Sequence, residues 1–181
     1  MEEGSPLVQL APPLTDVAWS SAVVAQSLEA LLVCLRAGQA AFLRPIHAPS
    51  LRLGWGPGSE PGAVIVAAAA RYGLTPEVVH STSWRYENDR LVLTYLAVVT
   101  APSDLSRYLI EEPIDRADLA RGDRLAPPTD IGVGQVVEHA FRHLAWLVAD
   151  DETIAQALPA WIDYLSAYEA EPFRAFGTPP G

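Results

Sequence analysis

The chain has 181 residues, half of them apolar and 19% charged, with a mean hydropathy of +0.15, which fits one folded domain with a filled interior and excludes a disordered polymer. Its net charge is −10 and its twelve cationic residues are all arginine; an acidic surface repels phosphate backbones, so nucleic acid is not an expected partner. The single cysteine, Cys34, excludes an internal disulfide framework, and its setting in an apolar run marks it as a small buried hydrophobe.

Residues 1–26, with Pro6, Pro12 and Pro13, read as an arm lying on the body or on a neighbouring subunit. The acidic start lacks the basic-then-apolar layout of a secretory signal, and no window holds the roughly 18 consecutive apolar residues of a bilayer span. A cytoplasmic address without a membrane partner is therefore expected. Residues 27–46 form two β-compatible runs around Ala37-Gly38-Gln39, with Gly38 free to take the positive φ of a tight hairpin. Residues 47–62 hold so many glycines and prolines that they read as a loop. The four alanines of residues 63–72, stopped by Gly73, predict a short helix.

Residues 76–100 predict a second hairpin turning at Asn88-Asp89. A two-residue turn sets Glu87 opposite Arg90, Arg85 opposite Val92, Ser83 opposite Thr94 and Thr82 opposite Tyr95. Alternation then places His80, Thr82, Trp84 and Tyr86 on one face with Leu93 and Tyr95, and Ser81, Ser83 and Arg85 on the other with Val92, Thr94 and Leu96. Residues 102–130 read as an irregular connection with a short helix near 115–120; the Arg121-Gly122-Asp123 triplet within it is a chance match to an integrin-binding tripeptide. Helices over 134–149 and 151–168 complete the body, Pro159 splitting the second, with Asp150, Asp151 and Glu152 as solvated capping groups between them. The fold class expected is mixed α/β (α+β): a mixed sheet from two hairpins flanked by helices, one domain over 27–170, and a tail over 171–181.

The local stretch GWGPGSEPGAVIVAAAARYGL, from Gly54 to Leu74, together with the element order over 27–149, resembles the Nudix hydrolase superfamily. The resemblance implies an α/β/α sandwich. The family's box runs Gly, five residues, Glu, seven residues, then Arg-Glu-apolar-any-Glu-Glu-any-Gly-apolar, and its helix glutamates hold divalent cations through clustered carboxylate oxygens. With the last glycine on Gly73, Ala67, Ala70 and Arg71 stand at the glutamate positions and Val66 at the arginine. Anchored instead on Gly54 and Glu60, the glutamate positions fall on Ala69, Tyr72 and Gly73. Neither register keeps a metal-binding cluster, and the lone Glu60 cannot hold magnesium, so the comparison implies a degenerate active site.

Two other groups carry chemistry. In HSTSWR, Ser83 and Arg85 suit an anion while Trp84 or Tyr95 suits an aromatic ring, and Trp55 in the glycine loop suits a pocket wall; cross-strand packing is the competing reading for each. His80, set on the face opposite Ser81 and Ser83, forms no serine–histidine pair within the strand. In EHAFRH, His139 and His143 are four apart on a helix, a spacing that lets both reach one metal ion. The helical wheel sets them with Trp146 along the flank of a stripe centred on Val133, Val137, Ala140, Leu144 and Val148, with Arg142 beyond, which favours a subunit interface of His139, Arg142, His143 and Trp146.

The resulting expectation is a non-catalytic Nudix-like homodimer with no catalytic residue, metal or cofactor, binding a small nucleotide-like or anionic ligand, or a protein partner, through Trp55, Glu60, Ser83, Trp84, Arg85 and Tyr95. A hydrolase with rebuilt ligands around His80, Arg85, His139 and His143, and an interaction protein whose pocket is closed by side chains, stay open beside it.

Overall fold

The computed structural model describes residues 25–56, 58–88, 90–120 and 131–171. The expected N-terminal arm lies outside the described residues except for its last two, as do all but the first residue of the tail, and the Arg121-Gly122-Asp123 triplet. The order is β1 (Ala25–Arg36), β2 (Gln39–Pro45), β3 (Leu51–Gly54), α1 (Pro61–Ala70), β4 (Pro76–Glu87), β5 (Arg90–Val99), β6 (Leu109–Pro113), α2 (Val133–Asp150), α3 (Glu152–Ala157), a 3-10 turn (Pro159–Trp161) and α4 (Ile162–Leu165).

Both hairpins form. The first turns on Ala37 and Gly38, at φ 50° and 77°, a two-residue turn whose positive φ values match the twist of the strands it joins. The second turns through Asn88, at φ 50°; Asp89 lies outside the described residues. What joins the hairpins is a parallel pairing of β1 with β5, from Ala25 opposite Arg90 to Val33 opposite Val98. The sheet runs β4-β5-β1-β2-β6. The strand β3 lies beside the first half of β1, Leu51 opposite Ala30, while β2 occupies the second half.

Two segments depart from the sequence expectation. Part of the supposed loop over 47–62 is β3, too short to show a period of its own but paired along β1. The connection over 102–130 contains β6, paired with β2 from Leu109 opposite Pro45 to Pro113 opposite Ala41, and residues 115–120 are irregular rather than helical.

Alternation along the central strand loads both faces. Leu28, Ala30, Leu32 and Cys34 face α1 with Ala41, Leu43, Ile65 and Ala69, and Leu31 and Val33 face α2 with Phe42, Leu96 and Val98. Burial pushes the Cys34 thiol up to about 11, in keeping with a hydrophobe rather than a nucleophile. Helix α1 starts at Pro61 behind Glu60, and stops at Gly73 (φ 74°), where the N–H groups of Gly73 and Leu74 reach the carbonyls of Ala70 and Ala69, a Schellman-type end. Helix α2 buries Val137, Ala140, Phe141 and Leu144 at helical spacing. Phe141 meets Trp161, Tyr164 and Tyr168 edge-on at 5.8, 5.9 and 5.3 Å between centroids, contacts worth about 0.5–1.5 kcal/mol each beyond burial. Pro159 does split the last helix, and Asp151 caps α3 by accepting from Thr153 and Ile154 N–H.

Candidate functional site

The groove between α1 and β3 is where a Nudix box would hold its cations. It encloses about 380 Å³ and is lined by Leu53, Gly54, Val64, Ala67, Ala68 and Arg71. Of the two registers weighed from sequence, the one anchored on Gly73 sets Ala67 and Arg71 in this groove, whereas the other requires Ala69, which is fully buried in the core. Hard divalent cations take carboxylate oxygens; the lining supplies two alanine methyls and a guanidinium instead. The residues present do not fit magnesium or manganese. Glu60, a box carboxylate only in the register anchored on Gly54, accepts from Gly62 N–H at 2.9 Å and Ala63 N–H at 2.6 Å. These backbone bonds hold it below the ordinary carboxylate range and make it the cap of its own helix.

The six residues expected to bind a ligand do not converge. Trp55 is half-buried against the α1-side core, its indole N–H donating to Ser59 O at 2.8 Å. Trp84 is 69% exposed, and Tyr95 packs toward α1. Ser83 and Arg85 lie on the opposite face, paired with Thr94 and Val92. Arg85 is engaged: Nη1 donates to Glu29 Oε2 at 2.6 Å and to Thr94 Oγ1 at 3.0 Å, and Nε to Glu87 at 3.1 Å. Arg52 closes the ring from β3, 3.0 Å from both Glu29 and Glu87. Burial raises the Glu29 carboxyl, but hydrogen bonds from Arg85 and Ser50 and the charges of Arg85 and Arg52 outweigh it, leaving Glu29 below its ordinary value.

A second buried carboxylate, Glu138 on α2, receives both arms of Arg116 at 2.9 Å and Nε of Arg142 at 3.0 Å. Arg142 also reaches Glu169 and Glu171, so this expected interface residue ties α2 to the chain's own last described turn. Trp146 is half-buried against the α2-side core.

The register expected for the second hairpin holds from Glu87 to Ser83 and then slips. Ser81, not Thr82, pairs with Tyr95, and His80 pairs with Leu96. The extra residue at Thr82 is a β-bulge, which flips the side chains from Ser81 back to Val78. His80 therefore faces α2, on the same face as Ser83 rather than opposite it. There its Nε2 lies 3.0 Å from Nε2 of His143, which is only 9% exposed. Burial and then the charge of His143 hold His80 below its ordinary value. His139, one turn earlier, sets its Nε2 3.3 Å from Thr82 O. Among the described residues no group of three or more His, Cys, Asp and Glu side chains gathers as a metal site.

A cavity beside β6 was not legible in the sequence. It encloses about 720 Å³ between β2, β6 and the start of α2, with Phe42, Ile114 and Val137 as apolar wall, Arg44, His47 and Arg116 as basic groups and Glu112 and Asp115 as acidic ones. Arg44 is ion-paired with Glu112 across the β2–β6 ladder.

A mixed six-stranded sheet between α1 and the α2–α4 layer defines a three-layer α/β/α sandwich. No protein-family model matches the chain, and no curated protein matches it. Among solved structures, a MutT/nudix family protein from Enterococcus faecalis is similar with a TM-score of 0.51 at 12% identity, over 78% of this chain and 72% of that one. An Ap4A hydrolase from C. elegans is similar over less, with a TM-score of 0.38 at 17% identity, over 50% of this chain and 81% of that one. The first likeness shows the fold: this chain has a Nudix-like fold, as its worn box implies.

Proposed function

We propose that this chain is a Nudix-like domain that has given up metal-dependent hydrolysis and binds a small anionic or nucleotide-like ligand. The observation that carries the reading is the α1–β3 groove, where Ala67 and Arg71 stand in place of cation-holding carboxylates and Glu60 is tied into a helix cap. The ligand's place in this reading is the cavity beside β6. Its volume of about 720 Å³ falls within the roughly 300–1,000 Å³ of small-molecule sites, and its apolar wall with His47 and the ion-paired Arg44 and Arg116, beside Glu112 and Asp115, suits a base or ring bearing an anionic group. The ligand set expected from sequence, around Trp84 and Arg85, is set aside because those side chains lie on opposite faces of the sheet.

The same reading keeps the protein in the cytoplasm as a homodimer. No helix among the described residues is long and apolar enough to cross a membrane. Trp84 and Tyr86, 69% and 62% exposed on the edge strand β4, are the surface offered to a second copy in place of the inward-turned Arg142 and His143.

Calorimetric titration with nucleoside mono- and diphosphates in the absence of divalent cations tests the ligand. Saturable binding that is weakened by Arg44→Ala supports the reading; binding indifferent to Arg44→Ala, or none, overturns it. Light scattering of the wild type against Trp84→Ala checks the dimer.

A further inference from the structure

The β-bulge at Thr82 turns His80 onto the α2 face of the sheet, and bulges recur where a side chain is re-aimed for function. There its Nε2 lies 3.0 Å from Nε2 of His143, with ring centroids 5.0 Å apart and planes inclined by only 26°. Two nearly coplanar imidazoles thus meet nitrogen to nitrogen, at the distance of a hydrogen bond. His143 is buried and His80 half-buried, so the contact belongs to the seam between the edge strand and the long helix.

A neutral imidazole has one N–H and one bare nitrogen. The contact therefore needs one ring to donate through Nε2 and the other to accept there. The donor keeps its bare nitrogen at Nδ1, away from the contact. The acceptor carries its proton on Nδ1, and its one bare nitrogen is the Nε2 inside the contact. A first proton, on Nδ1 of the donor, leaves the bond in place and adds charge assistance. A second has only Nε2 of the acceptor to take, where it sets two N–H groups and two positive charges face to face. Burial and the charge of His143 hold His80 below its ordinary value, which makes His80 the acceptor and His143 the donor.

No neighbour offsets a second charge. Leu96 stands opposite His80 on β5. On β4 itself Glu77 accepts from Thr100, while Arg85 and Glu87 belong to the ring around Glu29. On α2, Glu138 is held by Arg116 and Arg142, Asp150 is exposed two turns beyond His143, and His139 brings no negative charge to its contact with Thr82 O. On α3, which also packs against β4, Glu152 accepts from Gln156, and Asp151 before it caps the helix. Among the described residues neither ring of the pair bonds a carboxylate.

We propose that the His80–His143 contact is an acid-released latch: with one proton or none it binds the edge strand β4 to α2, and a second proton, on His80, forces the rings apart and frees the strand from the helix. The sign follows from His80. A group whose folded value is depressed contributes its stability in full above the unfolded value of about 6.5 and loses it as pH falls through the lower folded value. That window opens above the carboxylate range, so it is separable from acid unfolding driven by Glu29.

The test is urea denaturation of the full chain at intervals between about pH 8 and pH 5, with the ring nitrogens followed by NMR of histidine-labelled protein. The folded-to-unfolded ratio should fall below about pH 6.5, by up to about tenfold per pH unit for the one proton that the unfolded chain binds in excess. His80→Gln, whose amide still reaches toward His143 but takes no proton, should lose that fall, and His139→Gln should keep it. Amide exchange over residues 78–82, corrected for pH, should rise in the same window in the wild type and not in His80→Gln. If His80→Gln does not fold, His143→Gln serves the same comparison, and the wild-type ring titration needs no variant. An equal fall in the wild type and in the folded variant, or a His80 ring that titrates at the ordinary histidine value with β4 protection unchanged, overturns the latch and leaves a static hydrogen bond.

Discussion

Arg85 and Glu29 stand two strands apart and meet over the intervening β5, Nη1 to Oε2 at 2.6 Å, with Thr94 donating to the same carboxylate at 3.2 Å. Glu29 is 1% exposed, and a buried carboxylate deprived of its cation leaves an uncompensated charge, which costs several kcal/mol. Because Arg52 still faces Glu29, Arg85→Ala is expected to cost about 3 kcal/mol in urea denaturation. A loss below about 1 kcal/mol, the range of exposed pairs, would make the ring a surface ornament.

The same carboxylate sets an acid limit. Its folded-state pKa is depressed, so its contribution is complete above the unfolded value of about 4.3 and is lost as pH falls through the lower folded value. The stability of the wild type should therefore drop as pH falls from about 5 toward 3, and Glu29→Gln should show a shallower slope in that window. Parallel slopes would show that Glu29 is not specially stabilised. The residual slope of the variant belongs in part to Glu138, held low in the same manner by Arg116 and Arg142 against the effect of burial.

Phe141, fully buried among Trp161, Tyr164 and Tyr168, anchors the C-terminal segment to α2. Phe141→Ala should cost about 3–5 kcal/mol and raise amide exchange over residues 159–168 to the global rate. Retained protection there would mean that the segment is held by other contacts.

Much of this was legible in the sequence, for reasons local to each element. Ala37-Gly38 and Asn88 set their turns with their own backbone preferences, and Gly73 and Pro159 stop helices by their own geometry. The strands β3 and β6 were not legible, because each is only four or five residues long and is held by its partner rather than by an apolar pattern; IEEP reads as a charged connection until Leu109 and Ile110 are laid along β2. The bulge at Thr82 likewise leaves no mark in composition, and missing it misplaced His80. Glu29 and Glu138 carried a signal that could have been used: a lone acid inside an apolar strand or on the inner side of a helix demands a buried cation. The cavity beside β6 depends on residues from three separate segments and could not be assembled from spacing.

The register of the worn box makes a constructive prediction. Ala67 and Ala70 on α1 and Arg71 at its C-cap are exposed, so Ala67→Glu, Ala70→Glu and Arg71→Glu together should be tolerated and should create a cluster of carboxylates for a hard cation. Manganese binding followed by electron paramagnetic resonance should appear in the triple variant and be absent from the wild type at the groove. No gain in a folded triple variant would show that the register anchored on Gly73 is wrong.

With alanine methyls and a guanidinium in the α1–β3 groove, no divalent-cation chemistry is expected there, and a hydrolysis screen measures it. Purified wild-type chain is incubated with nucleoside diphosphate derivatives in magnesium and in manganese, and product is followed against a no-protein control. No metal-dependent turnover above that control is expected. Robust turnover that requires the cation and is abolished by a single substitution in this chain would contradict it.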